Sequence, residues 1–188
     1  ETLKRNWQER VCLGHMTKLA GLTPAELAVF IPQLKEAGIA ILALPATDLY
    51  MMAKQDTHNV RRGVAPINRL AESGVKVGLA TNNVQNLFTP FGDGDVLKIC
   101  TLLAQVLQLG TTASHQLCLS MATSRAAQAI GIDNYGVEVG KAADLVLIDA
   151  DSVSVAIATA PLNRTIIKRG KIVAQSKLSI DFKEDLKS

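Results

Sequence analysis

The chain has 188 residues, a net charge of +3, 48% hydrophobic residues and 4% aromatic residues. This length suffices for one domain with a full core, and the aliphatic composition is typical of helices packed on buried parallel strands, not of a disulfide scaffold or a disordered segment. The basic residues are scattered and no apolar run reaches bilayer length, so the sequence indicates neither a nucleic-acid partner nor a membrane span.

Cysteine usage and the first residues bear on cellular location. The three cysteines are odd in number and far apart, and no CxxC motif occurs. A reduced, cytoplasmic compartment is therefore expected. The first ten residues, ETLKRNWQER, are charged and do not resemble a signal peptide. Because no initiating Met precedes them, we expect the chain to be a piece of a longer protein.

Three short apolar runs predict parallel strands. They cover residues 10–14, 39–44 and 75–80, and a helical stretch ending at a glycine precedes the second and third runs. This alternation favours right-handed crossovers between parallel strands. His15 follows the first run, and residues 81–83 (Thr-Asn-Asn) follow the third. Polar residues at the carboxyl ends of such strands are where α/β barrels place their chemistry.

The segments between the strands carry helix and loop signals. Thr23, Pro24 and Glu26 form the pattern of a capping box and predict a helix start. Pro32 is expected to kink or break that helix. Residues 46–64 are predicted to form a long polar connection, and connections of this length are usually functional.

The second half of the chain changes character near Gly131. Helices are predicted over residues 66–73, 95–109 and, as a pair, 113–130. Residues 136–149 and 164–174 are β-branched and glycine-punctuated, which predicts a small separate sheet. We therefore expect one unit over residues 1–130 and a second over residues 131–188.

Several motifs resemble the C-terminal half of the metal-dependent amidohydrolase superfamily, in particular its cytosine-deaminase-like branch. The motifs are VCLGH (11–15), LPATDLYMM (44–52), RRGVAPINRL (61–70), ATNNVQNLFTPFG (80–92), GVEVGKAADLVLID (136–149) and IIKRGKIVA (166–174). The resemblance implies an α/β fold, a TIM-type (β/α)8 barrel with a small β-sandwich. By this resemblance residues 10–80 supply only barrel strands six, seven and eight.

The resemblance also assigns two catalytic candidates. His15 matches the sixth-strand His that polarises the substrate or holds the hydrolytic water. From the residues alone, a hydrogen-bonded His at a strand end is the simpler interpretation. Asn82 matches the eighth-strand Asp that binds the metal, and an amide cannot take a proton from metal-bound water as that carboxylate does. Asn82 could instead cap a strand-to-loop turn.

Phe88 and Asp48 are the candidates for substrate binding. Phe88 matches an aromatic residue that packs on the heterocycle, although it could also be a loop residue at the barrel rim. Asp48 could reach an exocyclic amino group or cap the turn after Pro45. His58 and His115 are expected to be surface or packing residues.

The implied function is hydrolytic deamination of a small heterocyclic substrate, a cyclic amidine of the pyrimidine or triazine type, by metal-activated water. A complete family member is expected to hold a divalent metal, zinc or iron. The family's first-strand HxH pair and fifth-strand His and Glu have no match here, so we assign no metal ligand and expect the chain alone to be inactive. Two alternatives stay open: a non-catalytic binding or scaffold protein derived from the enzyme, and a half-barrel completed by a missing N-terminal half, another chain or a homo-oligomer.

Overall fold

The computed structural model describes residues 1–182, which form two three-stranded sheets and seven α-helices. The strands are β1 (Cys12–Gly14), β2 (Ala40–Ala43), β3 (Val77–Leu79), β4 (Leu145–Ile148), β5 (Arg164–Lys168) and β6 (Lys171–Ser176). The helices are α1 (Pro24–Glu36), α2 (Pro45–Met51), α3 (Ile67–Glu72), α4 (Val96–Val106), α5 (Thr112–Ala122), α6 (Ser124–Ala129) and α7 (Val153–Thr159), with a 3-10 helix at Thr17–Gly21. None of these helices combines the length and the apolar character that crossing a bilayer requires.

The first sheet is parallel, with the order β1-β2-β3. Leu13 lies opposite Ile41, and Ile41 lies opposite Val77, so the three strands end at one edge. The predicted parallel strands and helical crossovers are therefore confirmed. This register brings the residues that follow each strand to the same edge of the sheet.

Two local predictions before the third strand were wrong in part. Pro32 does not break α1, which continues to Glu36. The capping box at Thr23 starts the helix more than two turns before Pro32, so the proline lies in a helix that is already nucleated and can continue past it. Residues 46–64 are not all connection, because Pro45 at the first helical position starts α2 and the Asp48 N–H bonds to the Leu44 carbonyl at 3.0 Å.

Helices α4 and α5 pack with the parallel sheet to form the main core. The largest fully buried side chains in it include Ile41, Ile67, Leu79, Leu103 and Met121. Helix α6 lies against β3 and β2. This packing holds the strand ends, and therefore the residues after them, on a rigid support.

The second sheet is antiparallel, with the order β4-β5-β6. It forms where the sequence predicts a small sheet, but α7 was not expected and lies between β4 and β5 in the chain. Ser152 caps α7 by accepting the Val155 N–H, and Ile157 of α7 is buried in the main core. The predicted second unit runs to residue 188, and its residues 183–188 lie outside the described part of the chain.

Candidate functional site

The carboxyl edge of the parallel sheet gathers polar residues from all three strand ends. His15 directly follows β1, Asp48 lies in the first turn of α2 after β2, and Asn82 lies three residues beyond β3. Hydrogen bonds connect the three side chains. Residues that are 33 and 67 positions apart in the chain thus form one cluster.

The backbone at His15 bends sharply away from the strand. Its N–H still continues the ladder by bonding to the Leu42 carbonyl at 3.0 Å. The φ angles of His15 and Met16 are +69° and +51°, a left-handed conformation that residues other than glycine seldom adopt. Such backbone conformations concentrate at functional sites, and here the bend directs the imidazole toward α2 and the loop after β3.

Asp48 is buried and contacts the His15 ring. Its side chain is 2% exposed, and its Oδ1 lies 2.5 Å from His15 Nδ1. Its Oδ2 is buried as well and has no hydrogen-bond partner among residues 1–182. A carboxylate is costly to bury unless it is paired, so the contact with His15 is its main compensation.

Asn82 reaches His15 from the opposite side of the ring. Its Nδ2 lies 3.2 Å from His15 Nε2. Its Oδ1 accepts hydrogen bonds from Thr47 Oγ1 at 2.8 Å and from the Asn83 N–H at 2.9 Å. The backbone bond to Asn83 fits the expected turn cap, and the bond to the imidazole adds a contact that a simple cap would not make.

Two buried threonines that sequence reasoning missed support Asn82. Thr47 Oγ1 lies 2.9 Å from Thr89 Oγ1, and both residues are buried. Asn86 Oδ1 accepts the Thr89 N–H at 3.1 Å, which folds the loop after β3 back on itself. Thr47 and Thr89 both lie inside recognisable motifs, but a threonine in an apolar motif carries no distinct signal of a polar role.

A pocket of about 420 Å³ opens beside this cluster, a size suited to a small molecule. It is lined by His15, Thr17, Thr47, Asp48, Met51, Met52, Asn83 and Phe88. Three predicted site residues, His15, Asp48 and Phe88, thus share one pocket. Asn82 is not a lining residue, but its side chain is hydrogen-bonded to three residues that are, His15, Thr47 and Asn83. The exposed His58 and the Ser154-bonded His115 do not line it, as the sequence predicts.

The donor set around His15 does not fit a divalent metal ion. Within residues 1–182, no group of three or more His, Cys, Asp or Glu side chains gathers in a metal-binding arrangement. Asp48 Oδ1 faces the imidazole, and the Asn82 oxygen already accepts two hydrogen bonds. A catalytic zinc site uses three protein ligands, and the residues here supply one imidazole.

Comparisons with known proteins identify a family model and several relatives that match most of the chain. The sequence model of the Amidohydrolase family matches residues 4–174. N-isopropylammelide isopropyl amidohydrolase of Pseudomonas sp. strain ADP is 29% identical over 181 residues, covering 96% of this chain and 42% of the relative. Pterin deaminase of Rhizobium rhizogenes is 30% identical, covering 93% of this chain and 40% of the relative.

Several solved structures are also similar to most of this chain. The 5-methylcytosine deaminase of Klebsiella pneumoniae, liganded with phosphonocytosine, superposes with a TM-score of 0.86 at 25% identity, covering 97% of this chain and 45% of that protein. Two more distant structural neighbours, at 24% and 21% identity, hold zinc. The chain spans less than half the length of the curated relatives it matches.

Proposed function

The chain belongs to the amidohydrolase family, and from that premise we propose that it carries part of a site for hydrolytic deamination of a small heterocycle. The resemblance to the cytosine-deaminase-like branch, predicted from the motifs, is confirmed by the matched relatives. The substrate class we propose is a cyclic amidine of the pyrimidine or triazine type. The names of the relatives, which act on pterin, isopropylammelide and 5-methylcytosine, support that class.

We propose that β1, β2 and β3 correspond to strands six to eight of a (β/α)8 barrel. The parallel order and the helical crossovers support this assignment, as does the extent of the superposition. Residues 1–130 would then form the barrel portion, and residues 131–188 would contribute to the small β-sandwich. The whole protein's activity rests on the remaining strands, which this chain does not contribute.

The single observation that carries the proposal is the convergence of His15, Asp48 and Phe88 on one pocket at the strand ends. Phe88 offers a ring face on which a flat heterocycle can stack. His15 lines the same pocket, and an imidazole is a side chain that can accept or donate a proton. Asn82 is proposed to act on the chemistry through His15.

A divalent metal, zinc or iron, is part of the proposal for a complete protein. The two zinc-holding structural neighbours support a metal in the family, while the donor set of this chain does not supply a ligand group. The metal's ligands would have to come from residues outside these 188. We therefore propose that the chain alone binds a heterocycle weakly and does not hydrolyse it.

Ligand titration tests the pocket directly. Cytosine and 5-fluorocytosine are added to the isotope-labelled chain, and amide shifts are followed by NMR. Phe88→Ala should abolish the shift changes near residues 47–52, whereas Leu87→Ala is the matched control because Leu87 is 97% exposed and does not line the pocket. Equal loss in the two variants, or no shifts in the unaltered chain at millimolar ligand, would contradict the proposed pocket.

Hydrolysis is tested separately by ammonia release. The purified chain, supplied with Zn²⁺ or Fe²⁺, should release no ammonia from cytosine. A fusion of this chain to the unmatched N-terminal part of the Pseudomonas relative should gain activity, and more so with Asn82→Asp, because a carboxylate restores the missing anionic group. Deamination by the metal-loaded chain alone would overturn the proposed inactivity.

A second candidate is a non-catalytic binding or scaffold protein derived from the enzyme. The specific observation in its favour is Asn82, whose amide is engaged by Thr47, Asn83 and His15 and lacks the charge of a metal-binding carboxylate. Isothermal titration of the fusion with zinc separates the two candidates. Tight binding supports an enzyme, and weak binding that Asn82→Asp does not improve supports the scaffold.

A third candidate is a half-barrel completed by another chain or by a second copy. Within residues 1–182, β1 and β3 each pair only with β2, so both edges of the parallel sheet lack a second strand neighbour. Such edges are sites for association. Light scattering should then report a mass above that of one 20.1 kDa chain. A monodisperse monomer would argue against this candidate.

A further inference from the structure

We propose that Asp48 and Asn82 are positioning residues that clamp the His15 imidazole from both sides, holding its proton on Nδ1 and leaving Nε2 as a hydrogen-bond acceptor. The clamp follows from contacts within this chain alone. Its consequence for ligand choice rests on the proposed function. The sequence did not predict that Asp48 or Asn82 would orient the His15 ring.

The Asp48 side of the clamp determines where the ring proton lies. A carboxylate is an acceptor, so the 2.5 Å contact requires a proton on His15 Nδ1. Asp48 is buried in α2 and its Oδ2 has no partner among residues 1–182, so the carboxylate has no alternative donor within the described chain. Loss of the Nδ1 proton would leave both carboxylate oxygens uncompensated.

The Asn82 side is decided by the orientation of its amide group. The Asn83 backbone N–H can only donate, and it lies 2.9 Å from the atom assigned as Asn82 Oδ1. A flipped amide would place an NH2 group against that N–H, which excludes the flip. Asn82 Nδ2 therefore points at His15 Nε2, 3.2 Å away, and donates to it. Nε2 must then present a lone pair, not a proton.

Thr47 and Thr89 anchor this amide orientation. The one hydroxyl proton of Thr47 is donated to Asn82 Oδ1 at 2.8 Å, so the 2.9 Å contact between the two hydroxyls requires Thr89 to donate to Thr47. Both threonines are buried, which keeps water from competing for these bonds. The chain of donors Thr89, Thr47, Asn82 and His15 leads inward to Asp48 with one consistent placement of protons.

The clamp sets a preference for one kind of ligand group at His15. With the proton held on Nδ1, the neutral ring offers an acceptor at Nε2 and has no N–H to give to a substrate carbonyl. A ligand N–H or a water molecule can replace the Asn82 amide as the donor to Nε2, whereas a ligand carbonyl cannot. His15 would therefore receive a proton from the ligand side, not polarise a carbonyl by donation.

Two-bond ¹H–¹⁵N NMR of the histidine rings tests the clamp. At about pH 8.5, where an ordinary imidazole is neutral, His15 should show the pattern of an Nδ1-protonated ring. The exposed His58 serves as an internal control for an exchanging mixture. Asp48→Ala should shift His15 toward the His58 pattern, and Asn82→Ala should leave the proton on Nδ1 because Asp48 still accepts it.

Asn82→Asp provides a second, independent test. It replaces the donating amide at Nε2 with an accepting carboxylate, so Nε2 should become protonated in this variant. Because Asn82 is an exposed residue, this change buries no new charge, and an unchanged His115 signal verifies the fold. An Nε2-protonated or freely exchanging His15 in the unaltered chain would overturn the proposal. Failure of cytosine to bind the chain, or failure of the fusion to release ammonia, would contradict the proposed function and leave the ring pattern unaffected.

Discussion

Arg164 and Asp95 form a bidentate ion pair between β5 and the start of α4. Nη1 lies 2.8 Å from Oδ1, Nη2 lies 2.9 Å from Oδ2, and each side chain is 15% exposed. Asp95 is also the N-cap of α4, where its Oδ1 accepts the Leu97 N–H at 3.0 Å. Since Arg164 begins β5, the pair joins the antiparallel sheet to a helix of the main core.

Replacing Arg164 should destabilise the fold. Arg164→Met leaves the largely buried Asp95 carboxylate without its bidentate partner, and we expect the free energy of unfolding to fall by about 2 kcal/mol. Urea denaturation followed by circular dichroism measures this. Lys98→Met is the control, because its pair with Asp93 is exposed and should matter much less. Equal losses in the two variants would contradict the assignment.

Acid should destabilise the chain partly through Asp93. The hydrogen bond from Lys98, with a further bond from the Asp95 N–H, holds the pKa of the Asp93 carboxyl below its ordinary value. In the unfolded chain this carboxyl has its ordinary pKa of about 4, so it takes up a proton at a higher pH than it does in the native chain. The free energy of unfolding should therefore fall as the pH drops from that ordinary pKa through the lower native pKa of Asp93. Lys98→Met should reduce the slope of the urea midpoint against pH, and an unchanged slope would refute the contribution.

Thiol reactivity should separate the three cysteines. Cys12 is exposed, whereas Cys100 and Cys118 are buried between α4 and α5. A hydrogen bond with Cys118, together with burial, raises the pKa of the Cys100 thiol and so suppresses its reactive thiolate. The same hydrogen bond lowers the pKa of the Cys118 thiol, whose labelling is limited by its burial. Native-state alkylation followed by peptide mass spectrometry should label Cys12 first. Cys12→Ser should abolish the fast phase, and rapid labelling of Cys100 or Cys118 would show that the helix interface opens.

Gly78 should not tolerate a side chain. A Cβ atom there would lie 2.5 Å from Leu42 Cδ2 and 3.0 Å from Ala126 Cα, so α6 would have to move from the sheet. We expect Gly78→Ala to lower the free energy of unfolding by about 2 kcal/mol. Gly110→Ala is the matched control, because nothing lies within 4 Å of its added Cβ. A Gly78→Ala variant as stable as the control would contradict the close packing of α6 on β3.

The fold was predictable wherever local rules act alone. The Thr23 capping box, the strand around Ile41 and the pair of helices meeting near Thr123 all follow from side-chain spacing and turn chemistry. The failures share a physical cause. At Pro32 and in α2, neighbouring turns override the propensity of a single residue.

The candidate site was also predictable only in part. His15, Asp48 and Phe88 could be identified from strand-end position and motif resemblance, and the structure brings them to one pocket. The bond between Asp48 and His15 could not be predicted, since it depends on α2 beginning at Pro45 and directing that carboxylate inward. Asn82 was predicted for a metal-ligand position, yet its contacts are with Thr47, Asn83 and His15.

The sequence by itself determined the parallel direction of the strands, the family and the identity of the polar residues at the strand ends. Periodicity, capping and motifs depend on residues that are close together in the chain, so they can be recognised without the structure. Only the tertiary structure decided which atoms of those residues meet. The direction of the Asn82 amide depends on a backbone N–H and a buried hydroxyl from another element, and the proton on His15 depends on a carboxylate 33 residues away. Such proton placement is a property of packed geometry, since each donor is defined by the acceptor that folding brings to it.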